Sequence, residues 1–172
     1  MQKALFIFCL LSNGYSFSQQ TIVELNKAPE SDFALDGIIS DSEIDNAKTI
    51  DIIYEHEPGY NTPPSYETIT YLKYTDTYLY IAFRAYRDEV KADIHPRDNF
   101  SLFEDDFANI HLDTYGDARN NIGLTANLFG SQADGIRIDT NDWSMGSGSG
   151  WSLDANFDYQ SLGRYTDFGY EV

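Results

Sequence analysis

The chain has 172 residues, of which 28 are acidic and 11 basic, for a formal net charge of −17 at pH 7. That balance excludes nucleic acid and anionic lipid surfaces as partners, since both need basic patches; it suits cations and neutral ligands. The one cysteine, Cys9, lies in an apolar leader, so residues 19–172 have no disulfide available and rely on core burial, helped by a bound ion where one is present. The leader has Lys3, the apolar run Ala4–Leu11, and small residues Ser16 and Ser18 before Gln19. This is the pattern of a secretory signal peptide over residues 1–18, and the run is too short to span a bilayer. A buried N-terminal strand or helix is the competing reading. Residues 19–172 amount to one domain, with no second apolar run able to cross a membrane as a helix.

Taken in order, the rest of the chain reads as short strands with turn signals between them. Thr21–Leu25 is a leader strand. Asp41–Ala47 holds one helical turn capped by Asp41 or Ser42. Thr49–Tyr54 is β-branched and extended. Glu55–Tyr66, with Pro58, Gly59, Pro63 and Pro64, is a surface loop. Glu67–Tyr74 and Tyr78–Tyr86 alternate on either side of Asp76-Thr77 and form a β-hairpin. In its second strand Leu79, Ile81, Phe83 and Ala85 share one face, and Arg84 sits among tyrosines on the other. That second face is either ligand-facing or a cation–π arrangement.

Phe107–Asp113 alternates at period two, with Ala108, Ile110 and Leu112 on one face. It is entered through Glu104-Asp105-Asp106 and left through a turn at Gly116, which is free to take positive φ. Asn121–Phe129 is a further strand, Asp134-Gly135 reads as a turn before a short strand at Ile136–Ile138, and residues 139–150 are an acidic, glycine-rich loop. Trp151–Tyr159 alternates again, and Arg164–Phe168 is a turn region. Gly169–Val172 starts a strand with no room to pair, so the domain is expected to be truncated at its C-terminal strand. No stretch sustains helical periodicity. The expected fold is therefore all-β, an antiparallel β-sandwich.

Three chemistries remain open for these residues. The acids allow a glycosidase-like pair, but no GxSxG, no HExxH and no candidate zinc set is present. Calcium prefers six to eight oxygen ligands, and Glu104, Asp106, Asp113 and Asp117, at the two ends of one strand, are its candidate ligands. A solvated acidic rim is the alternative. Sugar binding needs aromatic faces and flanking hydrogen-bonding groups. Trp143, beside the glycine-rich loop, with Arg84, Arg97, Asp98 and Asn109, supplies the candidates.

The segments LDGIISDSEIDNA, TYLKYTDTYLYIAFRAYRD, RDNFSLFEDDFANIHLDTYGDARN and ANLFGSQADGIR resemble the carbohydrate-binding family 9-like domain, found N-terminally in large exported bacterial proteins. The resemblance covers roughly residues 22–172. Ile44 and Phe107 stand where aromatic residues, usually Trp, are common in the family. The resemblance implies a jelly-roll-like sandwich, a carbohydrate partner, bound calcium, association with glycoside hydrolases and carbohydrate catabolism, and an exported location in the periplasm, outer membrane or medium. It carries over Arg97, Asp98, Asp105, Asp106 and Asp113 as motif members and adds Asp105 to the candidate sugar contacts. The leading expectation is a non-catalytic carbohydrate-binding module. The alternatives are a calcium-braced structural or assembly domain of an outer-membrane protein that has lost sugar binding, and a fragment of a glycoside hydrolase.

Overall fold

The structure, a computed structural model, describes residues 5–8, 21–55, 59–116, 120–137 and 151–172. In chain order its strands are Leu5–Phe8 (β1), Thr21–Glu24 (β2), Lys48–Asp51 (β3), Thr68–Tyr74 (β4), Leu79–Tyr86 (β5), Phe107–Leu112 (β6), Asn121–Asn127 (β7), Gln132–Arg137 (β8), Trp151–Ser152 (β9), Arg164–Thr166 (β10) and Gly169–Glu171 (β11). Helical structure among the described residues is one turn at Asp41–Ile44 (α1) and 3-10 turns at Glu30–Asp32 and Phe100–Glu104. None of it is long and apolar enough to cross a membrane.

The architecture is an all-β sandwich of antiparallel sheets. One sheet has the order β10-β11-β5-β4-β3 and the other β6-β7-β8-β9, while β1 and β2 pair apart from both. Successive strands stay in one sheet over β3–β5 and again over β6–β9, so the strand order does not by itself make a jelly roll. The sheets meet where Ala85 and Tyr170 of the first pack on Leu128, just past β7, with Val90, Ala92 and Val172 around them. Burial pushes the Tyr170 phenol up to about 12.

Period-two alternation sets the register. Leu72 pairs with Ile81 and Thr70 with Phe83 in the β4–β5 hairpin, as the sequence predicts. Three expectations are corrected. The terminal strand does pair: Gly169–Glu171 lies between β10 and β5, with Tyr170 opposite both Tyr165 and Ala85. Asp134-Gly135 is not a turn but the middle of β8, where Leu124 faces Asp134 and Gly123 faces Gly135. Glycine is needed there because a Cβ on Gly135 would lie 2.7 Å from the Ser152 carbonyl oxygen. Beyond Ser152, the Trp151–Tyr159 segment leaves the sheet and runs irregularly.

The helical turn is capped one residue earlier than expected. Ser40 is extended (φ −78°, ψ 160°), and its N–H and hydroxyl both donate to the Glu43 carboxylate at 2.7 Å. The other Glu43 oxygen accepts from Ala34 N–H at 3.1 Å, which ties α1 to the preceding loop. Glu43→Ala is expected to cost about 1 kcal/mol, read as a lower urea midpoint with an unchanged slope.

Candidate functional site

The strand pairing of the second sheet builds a cavity. Alternation in β6 places Phe107, Asn109 and His111 on one face. Register then sets Asn109 opposite Thr125 and His111 opposite Gly123. One strand further, Thr125 faces Ala133 and Gly123 faces Gly135. Two neighbouring strands, β7 with Gly123 and β8 with Ala133 and Gly135, thus carry small residues at the centre of one face beside Asn109 and His111 of β6, and the sheet is dented there. Phe100 and Phe103, from the 3-10 turn before β6, and Leu153, after β9, stand around the dent. The enclosed space is about 360 Å³, within the range typical of small-molecule sites.

The rim is aromatic and open to solvent. Phe100 is 73% exposed and Phe103 40%. Phe103 is held edge-on to Phe107 with ring centroids 5.5 Å apart, and Phe100 lies 6.3 Å from Phe103. Asn99 fixes the start of this turn by accepting from Ser101 N–H at 2.9 Å. The floor is polar at one place. Asn109 Nδ2 donates to Thr125 Oγ1 at 2.8 Å, whereas Asn109 Oδ1 is buried and accepts nothing. A buried carbonyl oxygen without a donor costs about 1–3 kcal/mol. His111 Nδ1 lies 3.1 Å from Asn121 Oδ1.

Behind the floor, an ion-pair network holds β7 and β8 in place. Arg97 pairs through Nη2 with the fully buried Asp134, donates to Gln132 Oε1 at 2.9 Å and to the Phe157 carbonyl at 2.6 Å, and lies over the Tyr159 ring at 5.3 Å. Phe157 N–H fills the second Asp134 oxygen at 2.7 Å. The Tyr159 hydroxyl donates to the Thr125 carbonyl at 2.7 Å, with the Ala133 carbonyl 3.1 Å away. Burial, then the nearby Asp134 charge, pushes this phenol up to about 12. Asp98, with φ +59°, accepts from Asp134 N–H at 3.1 Å.

Of the expected sugar contacts among the described residues, only Asn109 reaches the cavity. Arg97 and Asp98 brace it from behind. Arg84 faces the other sheet's outer side, where it pairs with Glu171 at 2.8 Å and lies 5.7 Å from the Tyr71 and Phe168 rings, which is the cation–π arrangement. Asp105 is buried and accepts from Asp93 N–H, from Asn127 Nδ2 and from the His95 ring. Trp143 lies outside the described residues.

The described calcium candidates, Glu104, Asp106 and Asp113, do not share one site. Glu104 is exposed and close in sequence to Asp106, but Asp113 lies beyond the far end of β6. Seven residues of extended chain span roughly 20 Å, whereas ligands of one calcium ion lie within about 5 Å of each other. Asp106 is already engaged, one oxygen by Arg87 and the other by Lys91 N–H. Asp113 Oδ1 accepts from Tyr115 N–H and Gly116 N–H in the turn, where Gly116 takes φ +68° as expected. Asp117 is outside the described residues, among which no cluster of three His, Cys, Asp or Glu could hold a metal ion.

The residues that sequence reasoning did not bring forward are Phe100, Phe103, Gly123, Thr125 and Leu153. Phe103 directly precedes the acidic triplet in the sequence. The others matter only through cross-strand register, which no local pattern displays. Comparisons of the chain with protein-family models, with curated proteins and with solved structures find no match.

Proposed function

We propose that this chain is a non-catalytic carbohydrate-binding module of an exported protein, and that it takes a neutral saccharide in the cavity on the β6–β9 sheet. The observation that carries this reading is the pairing of two solvent-facing phenylalanines with a recessed cavity lined by the polar side chains of Asn109, His111 and Thr125. A sugar ring offers an apolar face to an aromatic rim and hydroxyls to polar side chains, and the cavity presents both kinds of surface. The net charge of −17 favours a neutral ligand over an anionic one. The resemblance to the carbohydrate-binding family 9-like domain points the same way.

Binding is favoured over hydrolysis by the acid inventory of the cavity. Glycoside hydrolysis takes two carboxyl groups flanking the bond that is cleaved. Among the described lining residues the only carboxylate is Asp134, and Arg97 and Phe157 N–H occupy both of its oxygens.

Calorimetric titration against a panel of neutral oligosaccharides tests the proposal. Saturable binding to at least one glycan, with no release of reducing sugar, is expected. Phe103→Ala should weaken it about tenfold by removing one stacking face. If no glycan on the panel gives heat, the proposal fails. The same holds if Phe103→Ala leaves affinity unchanged.

A further inference from the structure

We infer that the space between the β4–β5 hairpin and the segment carrying α1 is a second ligand site, and that it takes a short-chain carboxylate held by Lys73. It lies on the other sheet from the saccharide cavity and does not depend on that reading. Alternation in β4 puts Tyr71 and Lys73 on one face, and register sets them opposite Ala82 and Tyr80 of β5. The chain from Phe33 to Ala47 covers this face. Phe33 stacks on Tyr80 with ring centroids 3.6 Å apart, and the Ser42 carbonyl meets the end of Lys73. The two layers leave a space of about 100 Å³. Phe33, Ile38, Ile44 and Leu162 are among its apolar walls, and the lining side chains with polar atoms are Glu43, Tyr71, Lys73 and Tyr80.

Lys73 is the anomaly of this face, because it is only 4% exposed. An ammonium carries three N–H donors. Here Nζ donates to the Ser42 carbonyl at 3.1 Å and lies 5.6 Å from the centre of the Phe33 ring. Among the described residues, no carboxylate comes within ion-pair distance of it. Glu43 borders the same space, but its oxygens already accept from Ala34 N–H and from the N–H and hydroxyl of Ser40. Lysines are almost never buried unless paired, since an uncompensated buried charge is costly. A carboxylate supplies the missing counter-charge and acceptors for the N–H groups that Ser42 leaves over. The walls require the rest of the ligand to be apolar, and the volume sets its length. A 150 Å³ cavity holds benzene, so this one takes about four or five non-hydrogen atoms, the size of acetate or propionate. The net charge of −17 works against any anion. That field is screened over about 10 Å at 0.1 M salt, whereas Lys73 acts at contact.

The test is titration of the full chain with propionate, propionamide and hexanoate at matched ionic strength, read by calorimetry and by the urea midpoint. Propionate is expected to bind saturably and to raise the midpoint by mass action. Propionamide has the same shape without the charge and should bind at least about tenfold more weakly. Hexanoate should also bind about tenfold more weakly, because its tail overfills the space. Lys73→Met removes the charge and keeps the bulk. It should abolish the response to propionate, fold at least as stably as the unaltered chain in carboxylate-free buffer, and leave the response to the neutral oligosaccharide panel unchanged. Ile44→Ala enlarges the space and should shift the preference toward hexanoate, with its own urea midpoint confirming that it folds. Absence of saturable propionate binding overturns the inference, as does equal binding of propionamide. A propionate response that survives in Lys73→Met, or a length preference unmoved in Ile44→Ala, also overturns it, because the carboxylate would then be held elsewhere.

Discussion

Glu171→Ala is expected to lower stability by about 3–5 kcal/mol, the cost of breaking a buried ion pair from one side. Glu171 is 1% exposed and sits in β11 between two arginines. Arg84 Nε donates to one carboxylate oxygen at 2.8 Å, while Arg164 Nε and Nη2 donate to the other at 3.1 and 3.0 Å. Ile39 N–H also reaches that second oxygen, at 3.4 Å. One side chain therefore joins β5, β10 and the segment before α1. Burial works against the Arg84 charge, but the bond and charge of Glu171 outweigh it and hold the guanidinium above its ordinary pKa. Without Glu171, Arg84 is left charged and four-fifths buried. Typical domain stability is only about 5–15 kcal/mol, so the variant should be close to unfolding at ambient temperature. Arg164→Ala should cost less than about 1 kcal/mol, because that side chain is 43% exposed and water screens it. Urea denaturation of both variants checks the ranking. Comparable losses from the two would show that the exposed Arg164 pair, and not the buried charge of Arg84, is what Glu171 chiefly compensates.

The same residues show what a sequence can and cannot reveal. The alternation of TITYLKY and LYIAFRAY specifies a hairpin, its faces and its register, because side chains on a strand repeat every two residues. The fold class follows from many such segments. What escaped is long-range. Glu104, Asp105 and Asp106 look like one acidic rim, yet each meets a different environment. Glu104 stays exposed, Asp105 is buried against His95 and Asn127, and Asp106 pairs with Arg87. Their partners lie 10 to 22 residues away in sequence. Arg84 among tyrosines looked like a possible ligand surface, and only the pairing of β11 beside β5 shows why a buried arginine is tolerated there. In the candidate cavity, Asn109 could be picked from the strand pattern, but its importance comes from Gly123, Ala133 and Gly135. Those are ordinary small residues until register sets them side by side on two strands next to Asn109. Asp134-Gly135 carries the same lesson: a local turn signal was overridden because a neighbouring backbone passes too close for any other side chain.

Asp105→Ala should cost about 3 kcal/mol, because it strands several donors at once in a buried place. The side chain is 2% exposed. It accepts from Asp93 N–H at 3.0 Å and from Asn127 Nδ2 at 2.9 Å, and His95 Nε2 lies 2.8 Å away. Asn127, fully buried itself, also donates to the Asp93 carbonyl at 2.7 Å and receives the N–H groups of Phe129 and Ser131. The carboxylate thus pins the loop before the cavity rim to the end of β7. Burial alone would raise its pKa, but the hydrogen bonds from Asp93, Asn127 and His95 outweigh burial and hold it below the ordinary 3.8. A carboxyl group with a depressed folded-state pKa binds fewer protons folded than unfolded, so stability rises with pH across that interval. The contribution is complete above the ordinary carboxylate range and is lost as pH falls from about 4 through the lowered folded-state value. Asp105→Asn removes this titration and keeps the side chain's shape. Urea midpoints of the two proteins should therefore differ most near neutral pH and converge in acid, as protonation takes away from the unaltered chain what the substitution has already removed. A gap that stays constant from pH 7 to pH 3 would mean that Asp105 contributes as a packed polar group and not as an anion, and the charge-based account of this junction would be wrong.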